Sequence, residues 1–243
     1  MNAGNRRMIV YGRNPVREAI RGPRIVKRIW ATKNAIREPW LSPVATTVVE
    51  AKAEELERIA GSPSHQGVCA EVSAFHYADA AELLAFPDPL IVALDQVQDP
   101  QNLGAVARCA ECAGAAGLVV PERRSAEVTA AVCKASAGAV EHLPVARTRN
   151  LADFVADAKR AGAWCYGADA DGPVAYDAVD FGGPVVVVLG SEGRGLRPRV
   201  ARACDLLVSI PLRGRVESLS VSAAAAILIY AAAHDRQGNL HRA

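Results

Sequence analysis

Apolar residues follow two different rhythms along this chain. From residue 90 onward, short apolar runs predict strands at Leu90–Asp95, Gly117–Val120, His142–Val145, Ala163–Gly167, Val185–Gly190 and Leu206–Ile210. Between and after them, longer stretches with helical spacing predict helices at Leu103–Ala113, Ala126–Lys134, Ala152–Ala161, Pro198–Ala203 and Val221–His234. Strands apolar on both faces and alternating with helices are the pattern of a parallel sheet covered on both sides. The last helix carries almost no polar face from Val221 to Ala233, so it is expected to be buried all round, within its domain or against a second subunit.

The first part of the chain reads as a smaller α/β unit. Met8–Tyr11 predicts a strand, Gly12–Pro15 a turn in which Pro15 opens a helix at its first position, and Val16–Ile20 that helix. A strand near Ile25–Ala31, a strand and helix between Thr46 and Ala60, and a closing strand over Gly67–Val72 complete it. Periodicity weakens between Ser73 and Pro89, where a tight connector with a short helix around Ala78–Leu84 is expected. The resulting division is residues 1–73, a linker over 74–88 and a larger domain over 89–243, in keeping with a length of 243 residues.

Charge sharpens this picture. The overall balance is only +2, but residues 1–73 carry +5 and the remainder −3. Arg13, Arg17, Arg21, Arg24, Lys27 and Arg28 flank one short helix and strand, a patch suited to displacing counterions from a phosphate backbone. An ordinary solvated face is the competing reading. No apolar run approaches the roughly 20 residues needed to span a bilayer and no leader is evident, so a cytoplasmic protein is expected. Cys109 and Cys112 have C-x-x-C spacing, but without a second pair they read as small buried residues; no metal is expected.

The glycines at Gly190, Gly193 and Gly195 follow a strand with the wrong spacing for a dinucleotide fingerprint, which sets aside a Rossmann oxidoreductase. They suit a backbone loop that wraps closely around a ligand. Asn102 and Arg108 lie six residues apart. If the helix starts at Leu103, Asn102 is its N-cap, and a polar site role is compatible with that. Arg108, in alanine-rich company, calls for a carboxylate, a phosphate or an interface partner.

The stretch from Asp99 to Arg108, the stretch Val185–Leu196 (Val-Val-Val-Val-Leu-Gly-Ser-Glu-Gly-Arg-Gly-Leu) and the stretch Ser209–Ser222 resemble, in order and spacing, the three motifs of the SpoU (TrmH) family of RNA ribose 2′-O-methyltransferases. Tyr11–Ala19 and His65-Gln66-Gly67-Val68 resemble the ribosomal-protein-like (L30e-like) RNA-binding domain of the branch that modifies guanosine in 23S ribosomal RNA. The resemblance implies an α/β fold whose C-terminal SPOUT-type parallel sheet holds a deep trefoil knot, S-adenosyl-L-methionine as cofactor, RNA as substrate and a homodimer with the active site at the subunit interface. It implies Asn102, Arg108, Glu192 and Ser218 as catalytic residues, with Glu192 orienting Arg108. It implies Gly190, Ile210 and Leu219 as cofactor contacts with Gly167 and Ala168 lining the pocket, and Arg13, Asn14, Arg17, Arg21, His65 and Gln66 on the RNA. His65 equally fits an ordinary loop histidine.

Arginine stays protonated to above about pH 12, so a charged Arg108 that stabilises a developing alkoxide is a better reading than a general base. The family's third motif usually reads Ser-Leu-Asn-Val-Ser, and here Ser220 replaces the asparagine. A transfer RNA substrate, or a non-catalytic RNA-binding or ribosome-assembly homologue, are the alternatives.

Overall fold

The computed structural model describes residues 7–240, with side chains up to Arg236. It comprises two compact units. The first contains β1 (Met8–Tyr11), α1 (Arg13–Arg21), β2 (Val26–Ala31), β3 (Val48–Glu50), α2 (Ala53–Ala60) and β4 (Val68–Val72). Its sheet order is β1-β4-β2-β3, with β4 antiparallel to both neighbours and β2 parallel to β3. The second begins with α3 (Ala80–Leu84), β5 (Leu90–Leu94), α4 (Pro100–Cys112) and β6 (Gly117–Pro121). The chain then returns to the first unit for Glu127–His142, which carries α5 (Ala130–Ala135). It re-enters the second with β7 (Val145–Thr148), α6 (Leu151–Arg160), β8 (Trp164–Ala168), β9 (Val174–Ala175), β10 (Val185–Leu189), α7 (Pro198–Ala203), β11 (Leu206–Ser209) and α8 (Val221–Leu240).

The second unit's sheet is parallel throughout, in the order β7-β6-β5-β10-β8-β11-β9. Every residue of β5, β6 and β10 is buried, as the uninterrupted apolar runs require. Each fully buried Val or Leu side chain contributes roughly 1.5–3 kcal/mol, so this centre is the rigid frame of the unit. Phe154, Val155 and Ala158 of α6 and Val200 of α7 fill the core on one side of these strands. Helix α8 packs against α4, β5 and β10.

Several expected boundaries shift for local reasons. Helix α1 starts at Arg13, which moves Pro15 to the third helical position, still within the turn that lacks intrahelical N–H partners. Helix α5 starts at Ala130 rather than Ala126, because the Ala126 N–H donates to Val97 O and holds the chain extended there. The expected strand over His142–Val145 is displaced to Val145–Thr148; a tight turn at Ala139–Glu141 and Pro144, which has no N–H, occupy its place. Within one chain α8 is not buried all round. Val221, Ala225, Leu228, Ile229 and Ala232 form a buried stripe, while Tyr230 on the other side is 51% exposed.

The return of Glu127–His142 to the first unit has a buried electrostatic anchor. The Arg24 guanidinium donates Nε–H to Glu141 Oε2 at 2.8 Å and pairs again through Nη2 with Oε1, and both side chains are almost fully buried. Arg24 therefore leaves the exposed basic patch in which the charge pattern placed it. A neighbouring ring, Phe75, lies 5.7 Å from its guanidinium carbon.

Candidate functional site

Parallel α/β sheets bind ligands outside the carboxyl ends of their strands, where strand order breaks sequence order. Here β10 is inserted between β5 and β8, and a cavity of about 260 Å³ opens beyond the ends of β8, β10 and β11. Ala168, Gly190, Ile210, Leu219 and Ser218 line it, all expected from the sequence. Gly167 does not. Its α-carbon faces Leu207, Leu196 and Cys204, any Cβ would come within 2.8 Å of the two leucines, and its smallness serves packing. Val208, Leu212, Val221 and Ala224 add apolar wall, and Asp169 and Glu192 supply the carboxylates. An apolar slot edged by two acids suits a flat ring attached to a cationic centre.

The pocket's glycine loop is closed by two backbone bonds, Ser191 N–H to Gly195 O at 3.2 Å and Gly195 N–H to Ser191 O at 2.9 Å. Gly190 lies so close to the returning strand that a Cβ there would overlap the Gly195 carbonyl and the Leu196 nitrogen. The loop's exit is pinned by Asp95, a fully buried carboxylate at the end of β5. It accepts hydrogen bonds from Arg197 N at 2.9 Å, Nε at 2.8 Å and Nη2 at 2.7 Å. Sequence reasoning passed over Asp95, although an acid ending an otherwise apolar strand signals a buried partner.

Asn102 and Glu192 line a second, adjoining cavity of about 270 Å³ together with Gln98, Asp99 and Arg194. Asn102 is not the N-cap. Asp99 takes that place, its Oδ1 accepting from Gln101 N–H at 2.9 Å with Pro100 as the first helical residue. Asn102 is thus free of the capping duty and turns toward the cavity. The expected pairing of Arg108 with Glu192 is absent among the described residues. At about 100° per residue, six residues carry Arg108 roughly 120° around α4 from Asn102. It is exposed there, with no hydrogen bond or ion pair among the described residues. Glu192 Oε1 instead accepts the Val221 N–H at 3.3 Å, tying the loop to the start of α8 where a negative charge is favourable.

Ser220 caps α8. Its Oγ accepts from Ala223 N–H at 3.2 Å and lies 3.1 Å from Ser222 Oγ. Asparagine and serine are near-equivalent N-caps, so this departure from the family pattern keeps the local structural role. Ser220→Asn is expected to change stability by less than about 0.5 kcal/mol and to keep or raise the methyl transfer that the family resemblance implies. Chemical unfolding and a single-turnover assay check it; complete loss of transfer would mean that the site has adapted to serine.

In the first unit, Arg13, Asn14, Arg17 and Arg21 sit on α1, all but the part-buried Arg17 well exposed. Arg17 and Arg21 share Glu18, at 2.9 and 3.3 Å, and His142 Nε2 approaches the same carboxylate at 3.1 Å. Burial pushes the Glu18 pKa up, but hydrogen bonds from Arg17 and His142 and the charge of Arg21 hold it below its ordinary value. Two arginines on one acid leave the helix face net positive. His65 is buried and its Nδ1 accepts from Gly67 N–H at 3.0 Å, which fixes the loop. Gln66 Oε1 accepts from Arg13 N–H at 3.0 Å, so its amide oxygen braces the start of α1.

Of the six cysteines Cys69, Cys133 and Cys165 are buried, whereas Cys112 is exposed, contrary to its reading as a packing residue. Burial pushes the Cys69 thiol up to about 12. No group of metal-ligating side chains occurs among the described residues, and among them no helix is long and apolar enough to cross a membrane.

Comparison with known proteins agrees with the geometry. Residues 89–230 match the SpoU rRNA methylase family, and residues 9–78 match the RNA 2′-O ribose methyltransferase substrate-binding family. A Mycolicibacterium vanbaalenii protein described as an uncharacterised tRNA/rRNA methyltransferase is 39% identical over 241 residues, 94% of this chain and 77% of its own length. YacO of Bacillus subtilis strain 168, placed in the TrmH family of tRNA/rRNA methyltransferases, is 35% identical over 91% of this chain and 93% of its own. The crystal structure of the SpoU methyltransferase AviRb from Streptomyces viridochromogenes in complex with AdoMet superposes with a TM-score of 0.80 at 27% identity, covering 96% of this chain and 91% of that one. With a family model spanning more than half of its length and relatives matching nearly all of it, this chain belongs to the SpoU family of RNA methyltransferases.

Proposed function

We propose that this protein transfers a methyl group from S-adenosyl-L-methionine to a ribose 2′-hydroxyl of RNA, at a guanosine of large-subunit ribosomal RNA, as a cytoplasmic homodimer. The observation that carries this reading is the slot beyond β8, β10 and β11, where Gly190, Ile210, Leu219, Ala168 and Ser218 converge beside Asn102 and Glu192. The slot fits the cofactor by its chemistry: the missing side chain at Gly190 leaves room for close backbone approach, Ile210, Leu212 and Leu219 would flank a flat ring, and Asp169 and Glu192 would offset the charge of a cationic centre. When bound, the cofactor supplies an electrophilic methyl group on a sulfonium. The family resemblance extends the reading to a deep trefoil knot formed by the loops around this slot.

The chain's own residues then divide the work. Asp95 and the Ser191–Gly195 bonds hold the loop, and Glu192 ties it to α8, so the pocket is formed before the ligand arrives. The Arg108 guanidinium stabilises the charge that develops on the ribose oxygen, while water or an RNA phosphate takes the proton. That Arg108 and Glu192 make no ion pair within one chain, among the described residues, supports a site completed across a dimer, with Arg108 of one subunit serving the pocket of the other. Val216, 74% exposed, and Tyr230 offer the apolar surface such a dimer would cover.

Mapping 2′-O-methyl groups in the RNA of a deletion strain tests the substrate. The expected result is one guanosine of 23S ribosomal RNA left unmethylated, restored by the wild-type gene. Loss of a transfer RNA methyl group instead replaces the substrate, and purified protein that binds neither S-adenosylmethionine nor RNA overturns the reading.

Joint replacement of Arg13, Arg17 and Arg21 by alanine is expected to weaken RNA binding and flatten its salt dependence by about 0.7–0.9 in the slope of log K for each phosphate no longer bound. Cofactor affinity should not move, since the slot belongs to the other unit. Filter binding over a salt series, with calorimetry for the cofactor, reads both; an unaltered slope would make the patch an ordinary solvated face.

A further inference from the structure

Lys134 lies far along the sequence from the basic N-terminal segment, between the first and second methyltransferase motifs, yet α5 carries it into the first unit. Its ammonium is brought against Gly12, at the entry to α1. A Cβ on Gly12 would lie 2.5 Å from Lys134 Nζ and 3.0 Å from Gln66 Oε1, so both polar atoms converge on the bare α-carbon. Gly12 holds φ at +98°, a conformation that excludes other residues independently of this crowding. Tyr11 places its ring centroid 6.0 Å from the same Nζ. Arg13 is the next residue; its guanidinium meets Glu38 at 3.1 Å and remains 55% exposed.

Lys134 differs from the other cations around it in having no carboxylate. Arg13, Arg17, Arg21 and Arg24 each have an acid within 3.3 Å, whereas Lys134 makes no ion pair among the described residues. Burial pushes its pKa down, and no acid opposes that shift. A half-buried ammonium without a counter-ion is unfavourable to the fold, and its favourable uses are few. An anion arriving from outside would relieve it, and the surface on which it lies is the one whose net charge is positive.

We propose that Lys134 is an RNA ligand, and that its ammonium, with Arg13 beside Gly12, forms a phosphate-binding site for the RNA backbone. The inference rests on the reading of the chain as an RNA methyltransferase and adds to it a contact from outside the segment that matches the substrate-binding family, which ends at residue 78. The segment Glu127–His142 thereby has a purpose beyond packing: the buried Arg24–Glu141 pair fixes it to the first unit, and Lys134 is held at a set position on the RNA face. Gly12, whose φ of +98° already excludes a side chain, leaves the space beside the ammonium open.

The test uses the full chain with Lys134→Met, which keeps an apolar stem against Tyr11 and removes the charge, and Lys134→Arg, which keeps the charge. Purified 23S ribosomal RNA and unfractionated transfer RNA serve as probes in filter binding from 0.05 to 1 M salt. Releasing one phosphate is expected to lower the slope of log K by about 0.7–0.9, which weakens binding roughly five- to eightfold at 0.1 M salt if the curves converge at 1 M. Lys134→Arg should retain most of the wild-type slope. The melting temperature of Lys134→Met should be at least that of wild type, because an unpaired charge is removed, and cofactor affinity should be unchanged. A wild-type slope and affinity in Lys134→Met overturn the proposal. The Arg13, Arg17, Arg21 triple variant measured alongside separates the two readings: if it alone loses affinity, the arginine patch stands and only the Lys134 site falls.

Discussion

Arg108→Ala is expected to lower single-turnover methyl transfer by about 10² to 10³, the scale observed when one donor that stabilises developing oxyanion charge is removed. The fold and the cofactor affinity should survive, since Arg108 is exposed and makes no hydrogen bond or ion pair among the described residues. An exposed side chain without such partners rarely changes stability by more than about 0.5 kcal/mol. Arg108→Lys should fail nearly as badly, because an ammonium is a point donor and cannot reproduce the planar fork of a guanidinium. Near-wild-type transfer by Arg108→Ala with saturating cofactor and RNA would remove this residue from the mechanism. Mixing distinguishes the arrangement of the site: if Arg108 serves the partner's pocket, subunits carrying Arg108→Ala and subunits with a disabled pocket form dimers that regain activity, whereas a site contained in one chain gives none.

The central strands were legible because burial on both faces demands continuous apolar runs, and five valines and leucines in β10 have no other explanation. Helix α7 was legible because Pro198 fixes its first turn. What remained hidden depended on distant residues or on competing local signals. Asp99 and Asn102 are both good caps, and Asp99 prevails because Pro100 after it suits the first helical position. The burial of Arg24 depends on Glu141, which lies 117 residues away, so a local charge pattern places it on the surface. Gly167 and Gly190 are both glycines at the end of a strand. Only the neighbours across the sheet distinguish them: side chains of Leu207 and Leu196 around the first, loop backbone around the second.

That difference predicts the second large effect. Gly190→Ala would set its Cβ against the Gly195 carbonyl and the Leu196 nitrogen, which are backbone atoms held by the two Ser191–Gly195 bonds and by the Asp95 contact to Arg197 N. A flexible side chain could rotate away from such a clash, but this backbone must open. Overpacking ordinarily costs about 1–3 kcal/mol. An unyielding backbone contact belongs at the upper end. Since about 1.4 kcal/mol is tenfold in affinity, S-adenosylmethionine is expected to bind roughly 100-fold more weakly. RNA affinity should be unchanged, because the α1 arginines proposed to bind RNA belong to the other unit. Gly193→Ala is the matched control: its φ of +74° carries a conformational penalty of about 1–2 kcal/mol, yet nothing lies within 4 Å of the added carbon. Its effect should therefore be the smaller. Calorimetric titration of the cofactor into both variants, each first shown to be folded by its melting curve, decides the matter. If Gly190→Ala binds as tightly as wild type, the loop can move aside, and its closeness to Gly195 does not shape the pocket.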